Sequence, residues 1–168
     1  MTCSVLKSGV SDLGLLRGMM SLRIVNLTGS AKIKDLSPLR GLPLDDSRSP
    51  PPQVSDLTPL QGSKLQLLNC DSSKVTDLSP LKGMSLRKLG IHNTQVEDLS
   101  ALEGMSLVSL HCDNSLVSDA SLVHLNRCAD LRSLSLKGTR VTAAGVNELT
   151  KALPKCKIVW DGGTSGPK

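Results

Sequence analysis

A unit of about 21 residues recurs along this chain with its apolar residues in fixed places. Residues 65–85 read L-Q-L-L-N-C-D-S-S-K-V-T-D-L-S-P-L-K-G-M-S, and residues 86–106 read L-R-K-L-G-I-H-N-T-Q-V-E-D-L-S-A-L-E-G-M-S. A period of this length marks a supersecondary unit that buries its apolar edge only by stacking on the next copy. The expectation is a solenoid whose interior is built from matched layers. Composition agrees, because the 168 residues include no Phe, no Tyr and one Trp, where a globular core normally draws on aromatics.

Numbered from its first Leu, a copy starts at Leu22, Leu44, Leu65, Leu86, Leu107 and Leu131. Positions 4 and 6 are apolar in nearly every copy: Val25 and Leu27, Leu68 and Cys70, Leu89 and Ile91, Leu110 and Cys112, Leu134 and Leu136. Alternation over so few residues is a half-buried strand. Strands one copy apart run the same way, so they form a parallel sheet that needs a return segment behind it. A Val or Ile near position 11 (Ile33, Val54, Val75, Val96, Val117, Val141) points inward. The Ser or Thr at position 9 (Ser73, Thr94, Ser115, Thr139) is placed to bond loop backbone as the chain leaves the sheet.

The return begins at Asp-Leu-Ser-Pro-Leu. Ser37-Pro38, Thr58-Pro59 and Ser79-Pro80 set a capping hydroxyl before a Pro suited to the first helical residue. Gly41, Gly62, Gly83 and Gly104 follow as left-handed stops, leaving room for one short turn. In the last two copies the return is longer, and Thr142 is placed to cap a true helix whose Val146, Leu149 and Leu153 share a face.

The pattern L-x-x-L-x-L-x-x-T-x-V-x-D-L-S-P-L resembles the leucine-rich repeat family, with Ser or Thr in the usual Asn place. The short copies are similar to the bacterial internalin-like class, and the last two to longer, helix-backed classes. The ending L-P-K-C-K-I-V-W-D at 153–161 resembles repeats found in bacterial proteins, some attached to serine/threonine kinases. The resemblance implies an α/β solenoid with a parallel concave sheet, short helical turns on the convex side and longer helices in the last two repeats. For function it implies a protein-binding scaffold.

On this reading residues 1–160 form the solenoid and 161–168 a flexible, Gly-rich tail. Residues 1–21 form a partial first repeat, since Val10-Ser-Asp-Leu matches Val75-Thr-Asp-Leu. The chain thus opens in mid-repeat, as a truncated product or a piece of something longer would. A closing strand falls at 155–160, where Ile158 and Trp160 take positions 4 and 6 and the Trp ring closes the last layer. The copy at 44–64 is degenerate: Ser47 and Ser49 replace the two core residues, and Pro50, Pro51 and Pro52 follow. Three prolines remove three ladder donors, which predicts a weakened or interrupted sheet over 45–52.

Net charge is +5, from 20 Lys plus Arg against 15 Asp plus Glu, and the basic residues are scattered. Without a basic stripe or stacking aromatics, the sequence argues against a nucleic-acid binder. No apolar run approaches the ~20 residues of a membrane span, and no signal-like N-terminus is present. The cysteines (Cys3, Cys70, Cys112, Cys128, Cys156) are odd in number and form no CxxC, which reads as buried free thiols in a cytoplasmic protein. Phosphate-loop, G-x-S-x-G and HExxH motifs are lacking, so no enzyme, cofactor or resident metal is expected.

The outward columns of the sheet are the expected binding face for a protein or peptide partner. They hold Leu67, Asn69, Asp71, Lys88, His92, Ser109, His111, Asp113, Ser133, Ser135 and Lys137. Adjacent strands lie about 5 Å apart, which brings His92, His111, Asp71 and Asp113 near one another. A metal or acid–base site is one reading of that group, and a solvated polar surface the simpler one. His124 falls on the back wall as a surface residue. Two rival functions are a regulatory or sensing segment of a larger enzyme, such as a serine/threonine kinase, and a basic nucleic-acid-binding module.

Overall fold

The computed structural model describes residues 2–4, 10–27, 30–48 and 52–167. Nine strands among them form one open sheet in sequence order. These are β1 (Thr2–Ser4), β2 (Ile24–Asn26), β3 (Asp46–Arg48), β4 (Leu67–Asn69), β5 (Lys88–Gly90), β6 (Ser109–His111), β7 (Ser133–Ser135), β8 (Lys157–Trp160) and β9 (Gly163–Ser165). Strands β1 to β8 pair in parallel, one residue of each copy against the same residue of the next. Strand β9 turns back antiparallel on β8.

Position 4 of each copy is the centre of the core. Val25, Leu68, Leu89, Leu110, Leu134 and Ile158 are buried, as are Leu27, Cys70, Ile91, Cys112 and Leu136 at position 6. Burying one such Leu side chain is worth roughly 1.5–3 kcal/mol, and no single layer closes a core alone. Stability therefore comes from neighbour-to-neighbour stacking along the array.

The early returns are single 3₁₀ turns at Gly14–Leu16, Ser37–Leu39, Thr58–Leu60, Ser79–Leu81 and Ser100–Leu102. Each ends at a glycine in the left-handed region, with Gly41, Gly62, Gly83 and Gly104 at φ 74°, 71°, 73° and 70°. The later returns are helix α1 (Asp119–Leu122), continued as a 3₁₀ turn over Val123–Leu125, and helix α2 (Ala143–Ala152). Thr142 caps α2 through its hydroxyl and the Gly145 N–H, and Val146, Leu149 and Leu153 face the core.

The capping of the short turns differs from the sequence expectation. The acceptor is the aspartate two residues before the hydroxyl. Asp35, Asp77 and Asp98 each accept the backbone N–H and the hydroxyl of Ser37, Ser79 and Ser100 at 2.7 Å. Asp56 accepts the Thr58 N–H at 2.8 Å, and Asp12 the Gly14 N–H at 2.7 Å. A turn of three residues leaves its first N–H groups without helical partners. A carboxylate with two oxygens takes that N–H and orients the neighbouring hydroxyl as well.

Two expectations about the ends of the array are corrected, and the sheet at the degenerate copy is thinned rather than interrupted, with two residues paired to β4 where the other parallel ladders pair three. Strand β3 is present, paired to β2 over Asp46–Arg48 and to β4 at Asp46 and Ser47. Ladder bonds come from peptide groups, not side chains: Asp45 N–H donates to Arg23 O at 2.7 Å, and Gln66 N–H to Asp45 O at 2.9 Å. Ser47 is small enough to be buried in place of a Leu, and Pro52 lies beyond the strand end, in a turn. Residues 49–51 lie outside the described residues. At the front, Thr2–Ser4 forms a strand in register with Ile24–Asn26, so the first copy is not limited to a return segment.

At the back, the stretch expected to be a flexible tail contributes β9, with Ile158 opposite Ser165 and Trp160 opposite Gly163. The half-buried Trp160 packs against the last core layer. Its ring lies against Gly162, where a Cβ would collide with it. The missing side chain lets the hairpin fold over the ring.

Candidate binding face

The outward face of the sheet carries two columns set by strand register. The first runs Ile24, Asp46, Leu67, Lys88, Ser109, Ser133, Lys157, and the second Asn69, Gly90, His111, Ser135, Val159. A third row, just past the strands, holds Asp71, His92, Asp113 and Lys137. The structure thus brings all eleven expected residues to one face. Their chemical states differ, and that difference sorts them.

Asp71 and Asp113 tie adjacent copies together. Asp71 accepts the His92 N–H at 2.8 Å and the Asn69 side-chain amide at 2.9 Å, while Asn69 Oδ1 accepts the Asp71 N–H at 2.7 Å. Asp113 accepts the Lys137 N–H at 2.8 Å and the Ser135 hydroxyl at 2.6 Å. Each carboxylate therefore fixes the strand exit of the following copy. Asn69, Asp71, Asp113 and Ser135 are half-buried parts of this framework. Charge-assisted bonds of this kind are about twice as strong as neutral ones.

Past that row the backbone turns left-handed. Ser72, Asn93 and Asn114 have φ of 58°, 55° and 54°, with Gly138 at 65°. Their N–H groups reach the next copy: Ser72 donates to His92 O, Asn93 to Asp113 O and Asn114 to Lys137 O, at 2.7, 2.8 and 2.7 Å. Ser73, Thr94, Ser115 and Thr139 then donate their hydroxyls to Cys70 O, Ile91 O, Cys112 O and Leu136 O at 2.6–2.7 Å. The row is rigid because backbone and side chain are both engaged.

Lys88, His111, Ser133 and Lys137 are exposed and Leu67, His92 and Ser109 half-exposed. His111 Nε2 and the Ser109 hydroxyl lie 3.2 Å apart. Among the described residues no group of three or more His, Cys, Asp or Glu side chains gathers in a metal-holding arrangement. The carboxylates of Asp71 and Asp113 are instead engaged by the donors named above.

Arg87 was missed by the alternation argument. It precedes β5 and belongs by parity with the buried residues. Position 2 is arginine three times, which is the signal that was available. Arg23 donates to Met20 O, Leu22 O and Pro43 O, and Arg132 to Ala129 O and Leu131 O. The Arg87 guanidinium has no such partner among the described residues. It stands beside Lys88 over a groove of about 550 Å³ that reaches Asp45, Asp46, Gln66 and Leu67.

On the opposite side, His124 is half-exposed, 3.8 Å from Glu103, which also pairs with Arg127 at 3.2 Å. Cys70, Cys112, Cys128 and Cys156 are free and buried. Burial pushes the Cys70 and Cys112 thiols far above their ordinary range, and that of Cys156 up to about 11. Among the described residues no helix is long and apolar enough to cross a membrane.

The chain superposes on the crystal structure of internalin C2 from Listeria monocytogenes with a TM-score of 0.70, over 95% of this chain and 80% of that one, at 26% identity. The fold is that of a leucine-rich repeat solenoid. A second L. monocytogenes internalin, the inlF product, matches the repeat array with a TM-score of 0.58 at 21% identity, over 92% of this chain. The array spans only 59% of that structure's length. No protein-family model matches the leucine-rich repeat chain, and no curated protein matches it.

Proposed function

We propose that this leucine-rich repeat chain is a non-catalytic scaffold that binds a protein or peptide along its concave sheet. The observation that carries the reading is the state of that face. Seven parallel ladders hold a continuous row of outward side chains, and the backbone beneath them is fixed by the Asp71 and Asp113 ties. A rigid, largely polar surface of this kind recognises a partner with little ordering cost. Of the expected residues, Leu67, Lys88, His92, Ser109, His111, Ser133 and Lys137 meet the partner. Asn69, Asp71, Asp113 and Ser135 hold the face in shape. Four buried free thiols support placing the chain in the cytoplasm.

The test is affinity capture with three forms of the chain. These are the unaltered protein, Lys88→Glu with Lys137→Glu on the sheet face, and Lys82→Glu with Arg127→Glu on the return side. A partner retained by the first and third forms but lost by the second supports the reading. Loss through the third form alone moves the site to the convex side and overturns it.

A further inference from the structure

Two rows of side chains cross the sheet from β3 to β5, and their charge changes in the same direction. Asp46, Leu67 and Lys88 are register partners on the outward face. Asp45, Gln66 and Arg87 precede them in the bends ahead of the strands, where Gln66 N–H donates to Asp45 O at 2.9 Å and Arg87 N–H to Gln66 O at 2.8 Å. Each row runs from a carboxylate through an uncharged side chain to a cation. The six line one groove of about 550 Å³. Ser109 and Ser133 continue the outer row without charge, so the polarity is confined to these three copies.

Distance decides what the charges can do. Adjacent strands lie about 4.8 Å apart, which separates the two ends by roughly 10 Å at the backbone. Salt screens exposed charges over about 8 Å, so the ends neutralise each other only weakly. They are not equally open. Asp45 lies 4.0 Å from Arg23, and Asp46 is half-buried. Arg87 and Lys88 are exposed, and among the described residues their side chains have no ion-pair or hydrogen-bonding partner. At the position of Arg87, Arg23 and Arg132 are both held on backbone carbonyls. The cation end is therefore where a partner gains most, and the carboxylate end sets which way round it lies.

We propose that this groove binds an extended peptide segment carrying an acidic and a basic side chain three residues apart. The segment crosses the strands with its carboxylate between Arg87 and Lys88 and its cation toward Asp46. A polyproline II strand has the right repeat, since three residues per turn and 3.1 Å per residue bring residue i+3 back to the same face after about 9 Å. A β-strand would turn that residue to the opposite side. Between the two charges, the aliphatic stem of the basic side chain lies on the half-exposed Leu67. This inference rests on the concave-face reading above and names the partner chemistry at one place on that face.

The experiment uses the full ¹⁵N-labelled chain and synthetic dodecapeptides in a Gly/Ser background. Their central segments are Arg-Pro-Ala-Glu, the reverse order Glu-Pro-Ala-Arg, and three controls: Gln-Pro-Ala-Glu, Arg-Pro-Ala-Gln and Arg-Glu-Pro-Ala, the last with its charges adjacent. Amide shifts are followed to millimolar peptide at low salt. The tighter of the two spaced orders is expected to move Asp46, Leu67 and Lys88. Without its Glu, binding should weaken roughly tenfold, as for a lost hydrogen-bonded charge. Without its Arg, it should weaken about threefold, as for an exposed ion pair. Arg87→Gln with Lys88→Gln should bring the spaced peptide to the level of the one lacking Glu. Neither side chain is bonded to the rest of the described fold, so this variant keeps the parent's spectrum elsewhere. Adjacent charges binding as well as spaced ones, no shifts at all, or shifts confined to Ser133–Lys137 would each overturn the groove. The last result would leave the concave-face reading standing, whereas shifts on the 3₁₀ turns alone would overturn both.

Discussion

Residues 86–106 and 107–130 begin alike and end differently, and one aspartate shows what changes. Asp98 and Asp119 occupy the same position of their copies. Asp98 binds locally, taking the N–H and hydroxyl of Ser100 at 2.7 Å. Asp119 reaches into the following copy, taking the Thr142 N–H at 2.8 Å and its hydroxyl at 2.6 Å. The cause is the return. Ser118 caps α1, with Ser121 Oγ accepting its N–H at 3.1 Å, so Asp119 lies inside the first helical turn rather than ahead of a 3₁₀ turn. Freed from capping its own segment, it meets the N-terminus of α2, where the helix dipole favours a negative charge. On the return side the aspartate of a short copy stays within its own copy, and that of the copy at 107–130 cross-links to the next.

The largest effect should come from what both kinds of copy share. Leu110→Ala is expected to cost about 2–5 kcal/mol, measured by urea unfolding. Leu89→Ala should cost a similar amount if the layers are equivalent, and a much smaller loss at either site would show that its layer carries little of the stability. The next effect isolates the cross-link. A Cβ on Gly145 would run into the Asp119 carboxylate. Gly145→Ala should thus destabilise by roughly 1–3 kcal/mol, although Gly→Ala inside a helix ordinarily stabilises by about 1 kcal/mol. A stabilised variant would break the comparison.

A double-mutant cycle sharpens it. Asp119→Ala and Thr142→Ala should each cost about 1 kcal/mol and should be non-additive by at least about 0.5 kcal/mol. Asp98→Ala should cost about as much as a lost cap, ~1 kcal/mol, yet add to Asp56→Ala within about 0.5 kcal/mol. Additive behaviour at the first pair, or coupling at the second, would contradict the assignment of distant and local roles.

The smallest effect is a pH dependence. Hydrogen bonds from Ser37, Thr58 and Ser100 hold the carboxyls of Asp35, Asp56 and Asp98 below the usual range. A depressed folded-state pKa means that these bonds contribute fully above the unfolded value, about 3.9, and lose their contribution as pH falls through the folded values. Asp98→Asn keeps an acceptor for Ser100 but cannot titrate, so its stability should fall less steeply than the parent's below about pH 4. Parallel acid curves would remove Asp98 from the account.

Much of this architecture could be read from residue order. The buried positions 4, 6 and 11, the hydroxyls at position 9 and the change from short to long returns all follow from apolar period and caps. What escaped was direction. An aspartate in a column is visible, but whether it binds forward by two residues or by 23 depends on the backbone around it, as Asp98 and Asp119 show. The left-handed residues were equally hidden, because Ser72 does not announce a positive φ as Gly138 does. Strand β3 persisted where the side chains argued against it, since peptide groups pair whatever hangs from them. Strand β9 was lost in a Gly-rich ending in which Gly162 makes room for Trp160. At the candidate site, alternation found the columns and missed Arg87, and it did not separate carboxylates that hold the face from cations that remain open.

The sealed thiols have a practical consequence. Cys70 lies in the copy at 65–85, Cys112 and Cys128 at the two ends of the copy at 107–130 and Cys156 beside the closing strand, each inert to alkylation while its surroundings are shut. Exposure to iodoacetamide followed by peptide mass mapping would convert them into four clocks along the axis. Each would report how often its own storey opens, and whether the building comes down floor by floor or all at once.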